Sequence, residues 1–376
     1  MRVQEVLKKH NVDAWVIFTH HSHDIHLRYL LEKWFASPTF IIIPKSGQAT
    51  VITSTMEAMM VNKEDYTVIP YTTRVDFINS IKSILAEYDK ANVALNFVER
   101  DELLDFLSMD IISYGTKEFL TFINPKINFV SAKDIIYDIR SVKTKEEIEN
   151  HKIAVKLAEE LMHDVIEPTI KPGMTESEIA ALIEFECKKR GEVAFGAIVA
   201  SGPNSAIPHH KPGNRKIKEN EVLLIDYGVS YNMSQSDLTH TYWIGPDEPP
   251  VEVIKAYKAV DAARKKAFEL IKAGIISSEV EDAVRKTFEE HGYDHEKLFI
   301  HSTGHPLGIE THDIGVGIRR ATPETPGKPL LENSIITVEP GLYFEGKFGI
   351  RLEDDVLVTK NGAIRLSHTP SELIVL

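Results

Sequence analysis

The sequence predicts an α+β protein of two domains: a smaller α/β domain over residues 1–135 and a larger one over residues 141–376 with an internal pseudo-two-fold repeat. Three observations predict it. Helix-like and strand-like patterns alternate through roughly the first 130 residues, as a mixed sheet with packed helices requires. Near Ser141 the pattern changes to long amphipathic helices. From there one order of elements, helix, helix, strand, acidic hairpin, occurs twice, with Pro249-Pro250 between the copies.

In the first domain, Val3–Lys9 reads as a short helix and Asp13–Thr19 as a strand. Phe40–Pro44 and Ala49–Thr53 flank Lys45-Ser46-Gly47 as a hairpin, and Thr67–Tyr71 and Asn92–Asn96 are further strands. His20, His21, His23 and His26 crowd one short segment. They could bind a metal ion, but a polar loop or helix start is the favoured reading, because a loop implies no fixed ligand geometry. Ser131–Arg140 reads as a connecting helix.

In the larger domain, Thr144–Ile166 has Ile148, Ile153, Leu157, Leu161 and Val165 at helical spacing, until Pro168 and Pro172-Gly173 interrupt it. Thr175 and Glu178 form a capping box for a second helix that runs to Arg190-Gly191. A strand over Val193–Ala200 and the loop Ser201–Asn214 follow. In the second copy, a helix over Val251–Lys272 precedes one capped by Ser278 and ended by His291-Gly292, then a strand over Leu298–His301.

Each copy closes on an apolar hairpin bearing two acids. Folding the first about Tyr231-Asn232 sets Asp226 opposite Asp237, and folding the second about Gly346 sets Glu339 opposite Glu353. Like charges directly opposed on one face destabilise a sheet. A cation between the carboxylates accounts for two such pairs in one chain. His305, with Gly304 before it and Gly308 after it, is the best histidine candidate to join them. Carboxylates plus imidazole suit Mn²⁺, Co²⁺ or Zn²⁺.

The net charge of −13 argues against a nucleic-acid partner. The single cysteine, Cys187, excludes internal disulfides and a thiolate zinc cluster. No apolar run is long enough for a membrane span, and the N-terminus reads as an amphipathic helix, so neither a membrane nor a signal peptide is expected. The expected location is the cytoplasm.

In order and spacing, Asp226, Asp237, His305, Glu339 and Glu353 resemble the five metal ligands of the pita-bread metallopeptidases, a family that includes methionine aminopeptidase, aminopeptidase P and prolidase. The resemblance spans residues 140–376, from Arg140-Ser141-Val142-Lys143 onward, and the preceding creatinase-like domain points to the Xaa-Pro branch. It implies two divalent metal ions, Mn²⁺ or Co²⁺ before Zn²⁺, with Asp237 and Glu353 as bridging ligands. It implies that Glu339 also shuttles a proton, that His312 steadies the tetrahedral intermediate, and that His209 stands at the substrate's far side. Arg351 matches an arginine at the site edge, with a salt bridge to Glu339 or Glu353 as its alternative role. Glu310, Asp313, Asp354 and Asp355 are expected as supporting or surface groups. The implied function is a dimetal Xaa-Pro dipeptidase acting on small peptides as a homodimer. The alternatives are an aminopeptidase P on longer Xaa-Pro peptides and a non-peptidase hydrolase or lyase of small solutes on the same fold. A binding module without catalysis is disfavoured, because no ligand position is lost.

Overall fold

Apolar, β-branched runs in the first part of the chain pair into one mixed six-stranded sheet. Its strands are β1 (Ala14–Thr19), β2 (Thr39–Pro44), β3 (Ala49–Ser54), β4 (Tyr66–Tyr71), β5 (Asn92–Leu95) and β6 (Asn128–Ser131), in the order β4-β3-β2-β1-β5-β6. The β2–β3 pair is the expected hairpin, with Gly47 at φ +92° in its turn. Helices α1 (Arg2–Lys9), α2 (Ile25–Leu31), α3 (Arg74–Leu85), α4 (Tyr114–Ile123) and α5 (Lys133–Arg140) complete this part of the chain. Val16, Phe40, Ile42, Ile52, Phe77 and Ile81 fill its core. The computed structural model describes residues 2–100, 107–323 and 325–376, which fall into two units, Met1–Ile139 and Arg140–Leu376.

The second unit opens with α6 (Lys145–Leu161), whose Thr144 cap and Glu147 form a capping box. A π-helical turn (Met162–Ile166) and the short α7 (Glu167–Thr169) prolong it. Helix α8 (Glu176–Arg190) starts at the expected Thr175–Glu178 box. The strand expected over Val193–Ala200 is two pieces, β7 (Glu192–Val193) and β8 (Ile198–Ser201). Then come β9 (Glu221–Tyr227), β10 (Val229–Tyr231), β11 (Ser234–Gln235) and β12 (Leu238–Ile244).

Helices α9 (Val251–Leu270) and α10 (Ser277–Glu290) begin the second copy. Ser278 lies inside α10, whose N-cap is Ile276, so the expected serine cap is not formed. No strand forms over Leu298–His301; α11 (His295–Leu298) ends there and an irregular segment follows, because Asp294 caps a helical turn through the Glu296 N–H. The copy ends with β13 (Pro306–Leu307), β14 (Ile335–Val338), β15 (Gly341–Phe344), β16 (Phe348–Arg351), β17 (Asp354–Thr359), β18 (Gly362–Arg365) and β19 (Ile374–Val375). Two four-stranded sheets, β19-β12-β9-β8 and β13-β14-β17-β18, each hold one long antiparallel pair at their centre. The helices of each copy cover its sheet: Leu161, Ile179 and Ile183 pack with Ile225 and Leu238, and Val260, Val280 and Val284 with Ile336 and Val356. The paired helices and closing hairpin recur in both copies as read from the sequence, whereas the strand expected between them in the second copy is replaced by α11 and an irregular segment.

Candidate metal centre

The acidic side chains are presented where the two central ladders break. Asn232 and Met233, at φ 45° and 62°, form a two-residue turn joining Tyr231 to Ser234. Both central residues of a type I′ turn have positive φ. This shifts the register from the one expected around Tyr231-Asn232: Asp226 faces Thr239, and Asp237 is its diagonal neighbour rather than its direct partner. Strands β9 and β12 are buried along nearly their whole length, so no polar face fixes their register and the turn decides it. The second hairpin follows the expected register. Gly341 faces Arg351 on one side and Val338 faces Asp354 on the other, leaving Glu339 and Glu353 opposed in the gap between ladders.

Around these acids lies a cavity of about 270 Å³. Asp226, Asp237, His305, Glu339 and Glu353 line it together with His209, His312 and Arg351, so the structure brings every predicted site residue to one place. Donor atoms of Asp237, His305 and Glu353 lie within 4.8 Å of one another. His305 Nε2 is 3.4 Å from Asp237 Oδ2 and 3.6 Å from Glu339 Oε1. Its Nδ1 lies 3.3 Å from the Pro306 carbonyl, which can only accept, so the tautomer that donates from Nδ1 satisfies this contact and leaves Nε2 turned toward the carboxylates. Such a tautomer is what a metal-ligating imidazole needs.

The charges do not balance within the protein. Burial pushes the Asp226 carboxyl up, Arg351 pulls it back and Glu339 pushes it up again, leaving it above the ordinary range. Burial, then Asp226, Asp355 and Glu339, drive Asp237 well above that range. Burial, Asp237, Glu339 and Asp226 do the same to Glu353. Asp226 Oδ1 is buried without a hydrogen-bond partner. Buried, mutually repelling carboxylates and an orphaned oxygen fit divalent cations, which replace the missing positive charge.

Arg351 differs from its expected place. It is buried rather than at the edge, and its ion-pair partner is Asp226, at 2.7 Å, not Glu339 or Glu353. It also donates to Thr239 Oγ1, Tyr343 Oη and the Pro208 carbonyl. Asp354 and Asp355 are fully buried, which removes the surface alternative for both. Asp355 pairs with His151 at 2.9 Å and accepts from the Asp237 N–H, while Asp354 binds Arg264, Arg365 and Ser367. The ring of His312 stands 4.1 Å from that of His305, and burial followed by the His305 charge lowers its pKa.

Sequence reasoning missed His301 and Tyr343. His301 lines the cavity, and its Nε2 is 2.7 Å from Tyr343 Oη, which also takes a bond from Arg351. No spacing rule marks either, since they come from an irregular segment and a separate strand. The histidine-rich segment runs from the end of β1 into α2, which contains His26. His26 is buried against Asp24, while the exposed rings of His20, His21 and His23 stack on one another.

Residues 149–360 match the metallopeptidase family M24, and residues 1–142 match the creatinase/prolidase N-terminal domain. This chain belongs to metallopeptidase family M24. An Xaa-Pro dipeptidase of Pyrococcus furiosus is 38% identical over 249 residues, 65% of this chain and 68% of its own length. An Xaa-Pro dipeptidase of Pyrococcus horikoshii is 34% identical over 303 residues, 77% of this chain and 83% of its own. The crystal structure of an X-Pro aminopeptidase from Thermotoga maritima superposes with a TM-score of 0.86 at 30% identity, over 100% of both chains. The fold is therefore the two-domain pita-bread architecture, and the chain is a metallopeptidase that depends on divalent metal. Among the described residues no helix is long and apolar enough to cross a membrane.

Proposed function

We propose that this metallopeptidase is an Xaa-Pro dipeptidase, with Asp226, Asp237, His305, Glu339 and Glu353 holding two divalent ions, Mn²⁺ or Co²⁺ before Zn²⁺. The convergence of all five on one cavity beside His209 and His312 is the observation that carries the reading. When bound, such ions would lower the pKa of a metal-held water and polarise the scissile carbonyl. Glu339, with its carboxylate at the cavity wall, takes the proton from the attacking water and delivers it to the leaving proline nitrogen. That nitrogen is a tertiary amide, which becomes basic as the carbonyl turns tetrahedral. His312 donates to the developing oxyanion, and His209 contacts the far end of the substrate. Arg351 acts through Asp226, Thr239 and Tyr343, which it holds in place. The same reading includes a cytoplasmic homodimer, which a monomeric mass in light scattering rejects.

One observation favours a second reading, an aminopeptidase P on longer peptides. A dipeptide presents a carboxylate that a cation should grip, yet among the described residues the one arginine lining the cavity, Arg351, is already bound to Asp226. The test is to strip the protein with chelator, restore Mn²⁺, Co²⁺ and Zn²⁺ separately, and compare kcat/KM for an Xaa-Pro dipeptide and an Xaa-Pro-Xaa tripeptide. Preferred cleavage of the dipeptide is expected. A preference for the tripeptide selects the second reading, and cleavage of neither with any metal rejects both.

A further inference from the structure

Helix α8 begins at a carboxylate that points away from solvent. Glu176 is fully buried, and its two oxygens together collect bonds from four places on the loop over residues 201–213. Oε1 accepts from the Ser201 N–H at 2.8 Å, Ser201 Oγ at 2.8 Å and Asn204 Nδ2 at 3.0 Å. Oε2 accepts from His210 Nε2 at 2.8 Å and the Gly213 N–H at 3.3 Å. Behind it, Arg215 donates to Ser201 Oγ and to Glu221, which extends the same network into β9. A buried charge is costly unless its lone pairs are occupied, and here they are. Burial alone would raise the Glu176 pKa, but the bonds from His210, Ser201 and Asn204 outweigh it and keep the carboxyl below the ordinary range.

The loop so gripped is the one that carries Pro208 and His209 to the cavity wall. Its grip points, 201, 204, 210 and 213, fall on both sides of His209, and His210, the next residue, is one of them. On the cavity side the loop has a bond from Arg351 to the Pro208 carbonyl at 3.3 Å and one from the Gly349 N–H to Ser205 Oγ at 2.8 Å. Neither touches residues 209–213. An apolar residue at 176 would avoid the desolvation cost but could not direct the loop. We propose that Glu176 is a positioning residue, whose buried carboxylate holds loop 201–213 so that the His209 imidazole faces the substrate. The inference rests on the reading of His209 as a substrate contact.

A double-mutant cycle tests it in the metal-loaded enzyme. Glu176→Gln keeps the shape of the side chain while removing its charge and one acceptor oxygen. Acting through His209, it should lower kcat/KM about tenfold in the native background and less than about twofold when His209 is already alanine. The bound metal per chain should stay unchanged in every variant, as a general loss of structure would not allow. His210→Ala, which removes a single bond, should show the same non-additivity and stands in if Glu176→Gln does not fold. An equal fold-loss in both backgrounds overturns the inference. If His209→Ala leaves kcat/KM unaltered, the substrate role of His209 is wrong and this inference falls with it, while the metal-dependent peptidase reading stands.

Discussion

Asp237 is crowded by the site: His305 is 3.4 Å away, and Asp226, Asp355 and Glu339 all press on its charge. Glu353 is nearly as central, accepting from Thr239 Oγ1 at 2.6 Å and sharing the donor cluster with Asp237 and His305. On the proposed reading, removing either carboxylate takes away a ligand and leaves its neighbours uncompensated. Asp237→Ala and Glu353→Ala are each expected to lower kcat/KM by at least ~10²-fold, since loss of mere supporting partners of metal ligands already costs about 10–100-fold. Metal content by elemental analysis should fall in parallel. Near-native activity in either variant, with metal supplied, would count decisively against the assignment. The sequence marked both residues because acids opposed within apolar strands are anomalous; it could not show that Arg351 belongs to Asp226, since that bond joins two separate hairpins.

At the scale of elements, the segment over residues 305–315, β13 and the loop after it, holds both His305 and His312, and an ion-pair cluster fixes it. Asp313, buried, takes Arg140 Nε at 2.6 Å, Lys143 Nζ at 3.3 Å and the Ile309 and Ile314 N–H groups. Arg140 also binds Glu310. Breaking one partner of a buried pair costs about 3–5 kcal/mol, because the other charge is left alone. Arg140→Met is therefore expected to destabilise the second unit by about that much in chemical denaturation and to lower kcat through the displaced His312. Unchanged stability would show that the cluster is not a clamp. The motif Arg140-Ser141-Val142-Lys143 was visible in the sequence, but its reason, the Asp313 carboxylate 173 residues away, was not. The same holds for the first hairpin: its existence followed from pattern, whereas its register depended on positive φ at both Asn232 and Met233, and methionine, unlike asparagine, does not advertise it.

Among the described residues, Asp24, Glu167 and Glu176 are carboxyls that lie below their ordinary pKa despite burial. Burial would raise each, but His26 and Asn96 outweigh it at Asp24, His163 and Tyr242 at Glu167, and His210 and Ser201 at Glu176. A carboxyl lowered by folding takes up its proton first in the unfolded chain. Its stabilisation is complete above the unfolded pKa, about 4, and is lost as pH falls through the lower folded value. Stability should therefore drop below about pH 4, and Asp24→Asn should flatten that acid limb for the first unit. Denaturant midpoints measured on both proteins across this range check it; parallel curves would assign the acid loss elsewhere.

Local chemistry carried much of the outcome. The α+β class, the paired helices of each copy, the Thr175 capping box and the four acids set in apolar hairpins were readable from periodicity, turn residues and the oddity of paired acids, while grouping His305 with them as a ligand set rested on the family resemblance. The strand expected at Leu298–His301 and the cap expected at Ser278 failed because neighbouring residues, Asp294 and Ile276, took those ends of helices instead. What only the tertiary structure decided is which distant groups share one dielectric pocket. Arg351 with Asp226, Asp355 with His151 and Glu176 with His210 are bonds across 125, 204 and 34 residues of chain. Periodicity along the chain reports the face a residue occupies, whereas a charge finds its partner through space.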